Sequence, residues 1–494
     1  MRLHEVLQGI EYTGSPPPDH DITLVTEDSR RAGPGCVFVC VEGNHFDGHA
    51  FAAQAIEHGA ACVVARKDTG VSPQILVKDP RAVYGLLCGN LHGNPARKLT
   101  LVGVTGTNGK TTIACLLKGI FDAAGYKSGL IGTLKIMIDQ EELPTDPDIP
   151  TTPDTCKLHD LFAKMAAAGC THCFMEASSM ALVQQRCAGL RFDAGIYTNL
   201  TQDHLDYHKT FENYFEAKKL LFFQSGIAVV NIDDEYGPGM LDGIPARPVT
   251  YSLHDNHADY TAKNVRLLPD GVSYELVSHG QIGRIKYGTP GEFSVYNSMA
   301  AAIAALELGL TLEQVQFGFA QNKGVKGRME VLDTDTPYTV IIDYAHSPDG
   351  LEKVLQTLRQ TSKGRIICVF GCGGERDVDK RPIMGRIASE LADIAIVSSD
   401  NPRSEDPDAI IADVLAGVKG RRSQVFAEPD RAKAVLLALR KAREGDIVLL
   451  AGKGHEDYQV LAEGKVHLDE REIVFAILKC RKEIAERKTR AMGN

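Results

Sequence analysis

Short apolar runs rich in β-branched residues alternate with helix-period segments along almost all of the 494 residues, and that rhythm restricts the chain to parallel sheets with crossover helices. Strands are expected at 22–26, 37–41, 62–65 and 75–77, with a helix at 51–58 that stops at Gly59. Asn94-Pro95-Ala96-Arg97-Lys98 breaks the pattern, which places a first domain boundary there. A second block carries strands at 99–104, 171–175, 194–198 and 228–232, a helical pattern after Lys110, and a closing alanine-rich helix at 298–308. Beyond Gly327 the alternation restarts, with strands at 339–342, 365–370, 394–398 and 447–451. The expected fold is α/β in three domains. Residues 1–98 form a small N-terminal α/β domain, 99–327 a central P-loop-type, mostly parallel sheet with flanking helices, and 328–494 a C-terminal Rossmann-like open sheet.

Composition removes other classes. With 44% apolar and 24% charged residues the chain is globular, and 54 Lys+Arg against 64 Asp+Glu leave a net charge of -10, which argues against a nucleic-acid partner. No apolar run approaches the roughly 18 residues of a membrane span, and no apolar stretch follows Met1-Arg2-Leu3-His4-Glu5, so no membrane partner and a cytoplasmic location are expected. The 12 cysteines are scattered, as buried thiols of a reducing compartment would be. Cys170-Thr171-His172-Cys173 has the spacing of a metal half-site, but without a second pair it is read as core cysteines. The basic tail at 479–490 is read as a solvated helix face.

Candidate chemistry starts at Gly103-Val104-Thr105-Gly106-Thr107-Asn108-Gly109-Lys110-Thr111-Thr112, between an expected strand and an expected helix. Backbone N–H groups of such a loop surround phosphate oxygens, and the helix dipole favours negative charge at the same place. Lys110 would reach the β/γ-phosphates and the Thr111 hydroxyl would ligate Mg²⁺. The general P-loop spacing fails by one residue, because Val104 stands where the outer glycine is required and Gly103 is one position too far. Phosphoryl transfer needs further metal ligands. Glu176 lies just past the strand at 171–175, on the carboxyl edge where open α/β sheets build their sites. His204, in Thr201-Gln202-Asp203-His204-Leu205-Asp206-Tyr207-His208, follows a second such strand, although a histidine in an acidic loop is by itself more often a surface residue.

The loop Gly106-Thr107-Asn108-Gly109-Lys110-Thr111-Thr112, together with Glu176-Ala177-Ser178-Ser179 and Asp203-His204-Leu205-Asp206-Tyr207-His208, resembles the Mur ligases, ATP-dependent amino-acid-adding enzymes of peptidoglycan synthesis. Phe215-Glu216-Ala217-Lys218 resembles the segment bearing that family's carbamylated lysine, Tyr296-Asn297-Ser298 its adenine-contact asparagine, Gly327-Arg328-Met329-Glu330 its interdomain arginine, and Asp343-Tyr344-Ala345-His346-Ser347-Pro348 its ribose- and phosphate-side motif. The resemblance implies ATP and Mg²⁺, with Lys110, Glu176, His204 and Lys218 catalytic. It gives the loop from Gly106 to Thr112, Asn297, Arg328 and Asp343 to ATP, and Thr111, Glu176, His204 and carbamylated Lys218 to the metal. Read alone, Lys218 beside Lys219 is a solvated helix lysine. An ammonium there would repel the metals, whereas a carbamate supplies an anionic oxygen.

Asp400-Asn401-Pro402-Arg403 resembles the signature of those family members that add meso-diaminopimelate to UDP-N-acetylmuramoyl-L-alanyl-D-glutamate. Asn-Pro also favours a turn, which suits the end of the strand at 394–398. Arg403 offers a planar fork to a carboxylate and Asp400 an acceptor to an ammonium. Diaminopimelate carries both groups at its far end, and lysine lacks that carboxylate. By the same resemblance Arg376, Gly452 and Glu456 complete the amino-acid site, and Ser29, Thr151, Thr152, Ser178, Gln184 and Arg186 contact the UDP-muramoyl dipeptide. Asn44-His45-Phe46 falls at the relatives' uracil loop without reproducing its residues, and Pro150 stands where some relatives have Asn. The implied reaction is an ADP-forming ligation through an acyl phosphate, by a monomer. A lysine-adding Mur ligase and a folylpolyglutamate synthase are the enzyme alternatives. A P-loop switch, the third alternative, leaves the arginines of the last domain without a task.

Overall fold

The computed structural model describes residues 1–494 except 15, 44–45, 145–149, 202–203, 279, 323, 420–422 and 493–494. The chain divides into two compact units, one of Met1–Thr261, Val277–Gln281 and Tyr296–Gly318, the other of Ala262–Leu276, Ile282–Val295 and Phe319–Asn494.

The first unit holds two sheets. Leu24–Thr26, Cys36–Val39, Cys62–Ala65 and Gln74–Leu76 pair in parallel and in sequence order. Successive side chains of a strand face opposite ways. Val37, Val39 and Val64 therefore pack on one face with Leu87 and Cys88 of the helix Pro80–Leu91, while Phe38 and Val63 pack on the other with Ala52 and Ala55. In the larger sheet the strands Arg247–Ser252, Ser225–Asn231, Phe192–Tyr197, Thr100–Thr105, His172–Glu176 and Ser128–Ile131 neighbour one another in that order, all parallel. Ile136–Ile138 and Glu141–Leu143 then join antiparallel. Thr100–Thr105 is flanked by Phe192–Tyr197 and His172–Glu176, with Thr105 opposite Tyr197 and Val104 opposite Glu176, so three carboxyl ends open on one edge.

The second unit contains a six-stranded sheet in the order Glu330–Leu332, Thr339–Asp343, Ile447–Ala451, Ile366–Phe370, Ile394–Val397, Gln424–Ala427. Only the first pairing is antiparallel. Ile447–Ala451, last of these in sequence, is inserted at the centre, so the loops leaving Asp343, Phe370, Val397 and Ala451 emerge on one side. Tyr458–Leu461 and Gly464–His467 form a separate hairpin.

The alternation thus yields the expected open sheets, with local differences. The alanine-rich helix begins at Glu292, ahead of the expected 298. The expectation that all cysteines are thiols is wrong at one pair: Cys88 and Cys156 form a disulfide, because Pro80–Leu91 and Thr155–Ala167 set their Cα atoms 5.3 Å apart across a separation of 68 residues. Cys170 and Cys173 are buried, in line with core positions. Among the described residues no helix is long and apolar enough to cross a membrane.

Candidate active site

The helix Lys110–Ala123 starts directly after Gly109, whose φ of 91° favours glycine. Two close approaches shape this loop. A methyl at Gly106 (φ 148°) would lie 1.8 Å from Thr198 Oγ1, and one at Gly109 would lie 2.5 Å from Asn297 Oδ1. Asn297 is therefore brought to the phosphate loop from far along the chain. The segment after Phe192–Tyr197 laces the loop from the other side: Asn108 N–H donates to Asn199 Oδ1 at 3.0 Å, Thr107 N–H to the Asn199 carbonyl at 2.9 Å, and Thr198 Oγ1 to the Asn108 carbonyl at 2.6 Å. Lys110 Nζ is folded onto the loop, donating to the Gly106 and Thr107 carbonyls at 2.8 Å each. Thr111 and Thr112 follow in the first helical turn, both half-buried.

Glu176, at the end of its strand, is only 1% exposed. Its carboxylate accepts from Thr133 N–H at 2.8 Å and from the Thr133 hydroxyl at 3.1 Å, and a methyl at Gly132 would collide with it at 2.4 Å. Around its backbone gather four residues expected to hold the sugar-dipeptide. Thr152 Oγ1 donates to the Glu176 carbonyl at 2.7 Å and accepts from Ser178 N–H at 3.0 Å. Arg186 donates to the Thr152 carbonyl at 2.8 Å and to Gln184 Oε1 at 2.6 Å. Thr151 joins through the Thr133 hydroxyl at 3.0 Å. Ser29 stands in a separate short 3-10 turn, Ser29–Arg31, and Asn44, His45, Gln202 and Asp203 lie outside the described residues.

Lys218 is not a solvated lysine. It is 1% exposed on the helix Phe211–Lys219, its Nζ 4.2 Å from the centroid of the Tyr214 ring. His208 stacks on the same ring at 4.9 Å and pairs with Ser179 Oγ at 2.9 Å, while Tyr214 Oη lies 3.2 Å from Thr107 Oγ1. Exposed His204, held at a φ of 51°, reaches the Tyr214 ring edge-on at 6.4 Å. Phosphate loop, imidazoles and lysine thus converge on one aromatic ring that the motif reading passed over. Thr133, the donor to Glu176, escaped it too; its signal is a Gly-Thr pair directly after a strand.

In the second unit, Asp343 ends its strand buried, and burial pushes its carboxyl up against the opposing effect of Met329 N–H and Arg328. It accepts from Met329 N–H at 2.7 Å and Ala345 N–H at 2.9 Å. Arg328 lies over the Tyr344 ring at 5.2 Å, and its buried Nε has no hydrogen-bond partner among the described residues. The turn after Ile394–Val397 holds Asp400, Asn401, Pro402 and Arg403, the last at a φ of 56°. Arg403 Nη1 donates to the Gly374 carbonyl at 2.7 Å, and a methyl at Gly373 would touch both Arg403 and Arg376. Arg376 itself is exposed. Asn401 Nδ2 donates to Glu456 Oε2 at 3.0 Å, and a methyl at Gly452 (φ 115°) would meet Asp400 Oδ2 at 3.4 Å. The expected amino-acid site is one assembly, and it contains a residue that the motifs did not single out, buried Lys453.

A glycine-rich strand-to-helix loop on one sheet edge and an arginine-bearing turn on a second open sheet are the parts expected of an ATP-dependent ligase. Family profiles match in order along the chain: Mur ligase family, catalytic domain, over 21–86; Mur ligase middle domain over 104–305; and Mur ligase, glutamate ligase domain over 327–454. The chain belongs to the Mur ligase family. It is 42% identical over 464 residues to the UDP-N-acetylmuramoyl-L-alanyl-D-glutamate--2,6-diaminopimelate ligase 1 of Clostridium acetobutylicum, covering 93% of this chain and 95% of that one. It is 45% identical over 482 residues to the 2,6-diaminopimelate ligase of Gloeobacter violaceus, covering 96% and 97%. A solved UDP-N-acetylmuramoyl-L-alanyl-D-glutamate--2,6-diaminopimelate ligase superposes with a TM-score of 0.78 at 32% identity, covering 98% and 99%. A folylpolyglutamate synthase of Mycobacterium tuberculosis shares the fold alone, with a TM-score of 0.56 at 19% identity over 74% of this chain and 91% of that one.

Proposed function

We propose that the chain joins meso-diaminopimelate to the D-glutamate of UDP-N-acetylmuramoyl-L-alanyl-D-glutamate, with ATP converted to ADP and phosphate, in cytoplasmic peptidoglycan precursor synthesis. The observation that carries the choice of amino acid is the turn at 400–403, where the Asp400 and Glu456 carboxylates share an assembly with the Arg403 fork. An ammonium and a carboxylate on the same far carbon match that set; lysine offers only the first. Residues 1–98 would hold the nucleotide-sugar, 99–327 the phosphoryl chemistry and 328–494 the incoming amino acid, and every group required lies on one chain, which suits a monomer.

The dipeptide's γ-carboxylate attacks the γ-phosphorus of ATP and expels ADP, giving an acyl phosphate. The diaminopimelate amine then attacks the acyl carbon, loses a proton and expels phosphate. Two anions must meet in the first step, so cations and N–H donors have to offset their charge. Lys110 already sits at the loop whose N–H groups would take the phosphates. Arg186, Thr152 and Ser178 form a connected donor set for the sugar-dipeptide.

Thr111, Glu176, His204 and Lys218 would hold Mg²⁺, which when bound neutralises phosphate charge and polarises the phosphorus. The residues fit. Glu176 is a sequestered carboxylate oriented by Thr133, and Lys218 is a sequestered amine on the Tyr214 ring, where carbamylation would convert a repelling cation into an oxygen ligand. A coupled ADP-release assay with the UDP-muramoyl dipeptide, offering meso-diaminopimelate or lysine in turn, tests the reading. Turnover only with diaminopimelate is expected, and turnover with lysine, or with glutamate on a folate, overturns it.

A further inference from the structure

Lys453 has no part in the scheme above, yet it is among the most enclosed charges of the described residues in the second unit, with an exposure of 0%. It lies between Gly452 at φ 115° and Gly454 at φ 55°, so the backbone on both sides takes a form that favours glycine. Its Nζ donates to Asn401 Oδ1 at 2.7 Å, to the Tyr458 carbonyl at 2.7 Å and to Glu456 Oε2 at 3.2 Å, and it lies 3.3 Å from Asp400 Oδ1. The last contact is an ion pair without hydrogen-bond geometry, since Asp400 Oδ1 has no hydrogen-bond partner among the described residues. A side chain so enclosed cannot itself touch an incoming amino acid.

We propose, on the reading that this chain adds diaminopimelate, that Lys453 is the positioning residue of the amino-acid site, setting both the charge and the orientation of the groups that read the far end. Asp400 is buried and Glu456 half-buried, and without the cation between them their carboxylates would repel each other and move off the positions that could accept from an ammonium. One lysine against two carboxylates leaves a net charge of -1, the complement of a single substrate ammonium. The same Nζ fixes the Asn401 amide. With Oδ1 accepting from Lys453 and from Val460 N–H at 2.9 Å, Nδ2 is turned to Glu456 Oε2 at 3.0 Å. The three hydrogen bonds of this one Nζ therefore tie Asn401, Glu456 and the Tyr458 backbone into one network.

The test is a double-mutant cycle on the full chain with Lys453→Met, Glu456→Gln and both together, reading steady-state constants for all three substrates. Misplacement of the reading groups by about 1 Å lowers kcat/KM for diaminopimelate on the order of 100-fold. The loss is expected in the diaminopimelate KM, with the KM values of ATP and the muramoyl dipeptide within about twofold of wild type and the preference over lysine reduced. Because the double variant restores the -1 balance, its loss is expected to be smaller than the product of the two single losses. A loss spread equally over the three substrates, or losses that simply multiply, overturns the inference. Where Lys453→Met does not melt cooperatively, Lys453→Gln takes its place in the same cycle. Wild-type protein that ignores diaminopimelate overturns the functional reading and this inference with it. Wild-type turnover beside a variant with an unchanged diaminopimelate KM overturns this inference alone.

Discussion

Lys218 Nζ and the Tyr214 ring centroid are 4.2 Å apart inside a single helix, and the same ring places its hydroxyl 3.2 Å from Thr107 of the phosphate loop. One side chain therefore ties the lysine's helix to the glycine-rich loop at 106–112. Lys218→Ala is expected to keep its fold and lose about 100-fold or more in kcat, the scale of removing one charge-stabilising group. ADP release and circular dichroism measured together decide this, and full ligation by the variant would remove Lys218 from the mechanism.

Gly106→Ala should act on the loop's shape rather than its chemistry. Its new methyl would meet Thr198 Oγ1 at 1.8 Å, and the residue would have to hold a φ of 148°. A cost of about 1–3 kcal/mol is expected from the clash and strain. Thermal melts with and without ATP should show a lower midpoint and a smaller nucleotide-induced rise; an unaltered rise contradicts the close packing.

Thr133→Val removes one of the two donors that hold Glu176 and keeps the backbone N–H. A hydrogen bond to a buried charged group is worth about 1.5–3 kcal/mol, so an Mg²⁺ requirement about 10- to 100-fold higher is expected. Titrating activity against Mg²⁺ measures it, with Glu176→Gln as the more severe reference.

On the proposed function, Arg403→Ala is expected to raise the diaminopimelate KM by about 10- to 100-fold, since the proposed charge-assisted pair to the far carboxylate would go together with the bond to the Gly374 carbonyl at 2.7 Å. Discrimination against lysine should shrink, because lysine never used that contact. Equal effects on both amino acids would place Arg403 in loop structure only.

Acid stability should carry the signature of His159, which is buried in the helix Thr155–Ala167 with an Nδ1 that lacks a partner among the described residues. Burial, with a smaller contribution from His92, pushes its imidazole down from 6.5 to about 4. The unfolded chain takes up the proton first, so stability is complete above about pH 6.5 and is lost as pH falls toward 4. At roughly 1.4 kcal/mol per pH unit the loss approaches about 3 kcal/mol. Urea unfolding at stepped pH should show this slope in the wild type and a flatter one in His159→Leu.

Local rules reached far into this chain. A glycine-rich turn between an expected strand and an expected helix located the loop at 106–112, because backbone conformation and helix starts are governed by a few adjacent residues. Strand periodicity located the edges where Glu176 and Asp343 stand, and Asn-Pro located the turn at 400–403. The resemblance to the Mur ligases then gave these positions their expected roles.

Sequence alone determined the α/β alternation, the phosphate loop and the strand ends that carry the named acids, because each follows from periodicity or backbone geometry within a few residues. Tertiary structure alone decided the partners. Thr133 reaches Glu176 across 43 positions, Tyr214 reaches Thr107 across 107, Lys453 reaches Asn401 across 52, and Cys88 meets Cys156 across 68. These contacts depend on which strand neighbours which. Ile447–Ala451 entering the centre of its sheet brings Lys453 beside the turn at 400–403, and no local periodicity encodes that order.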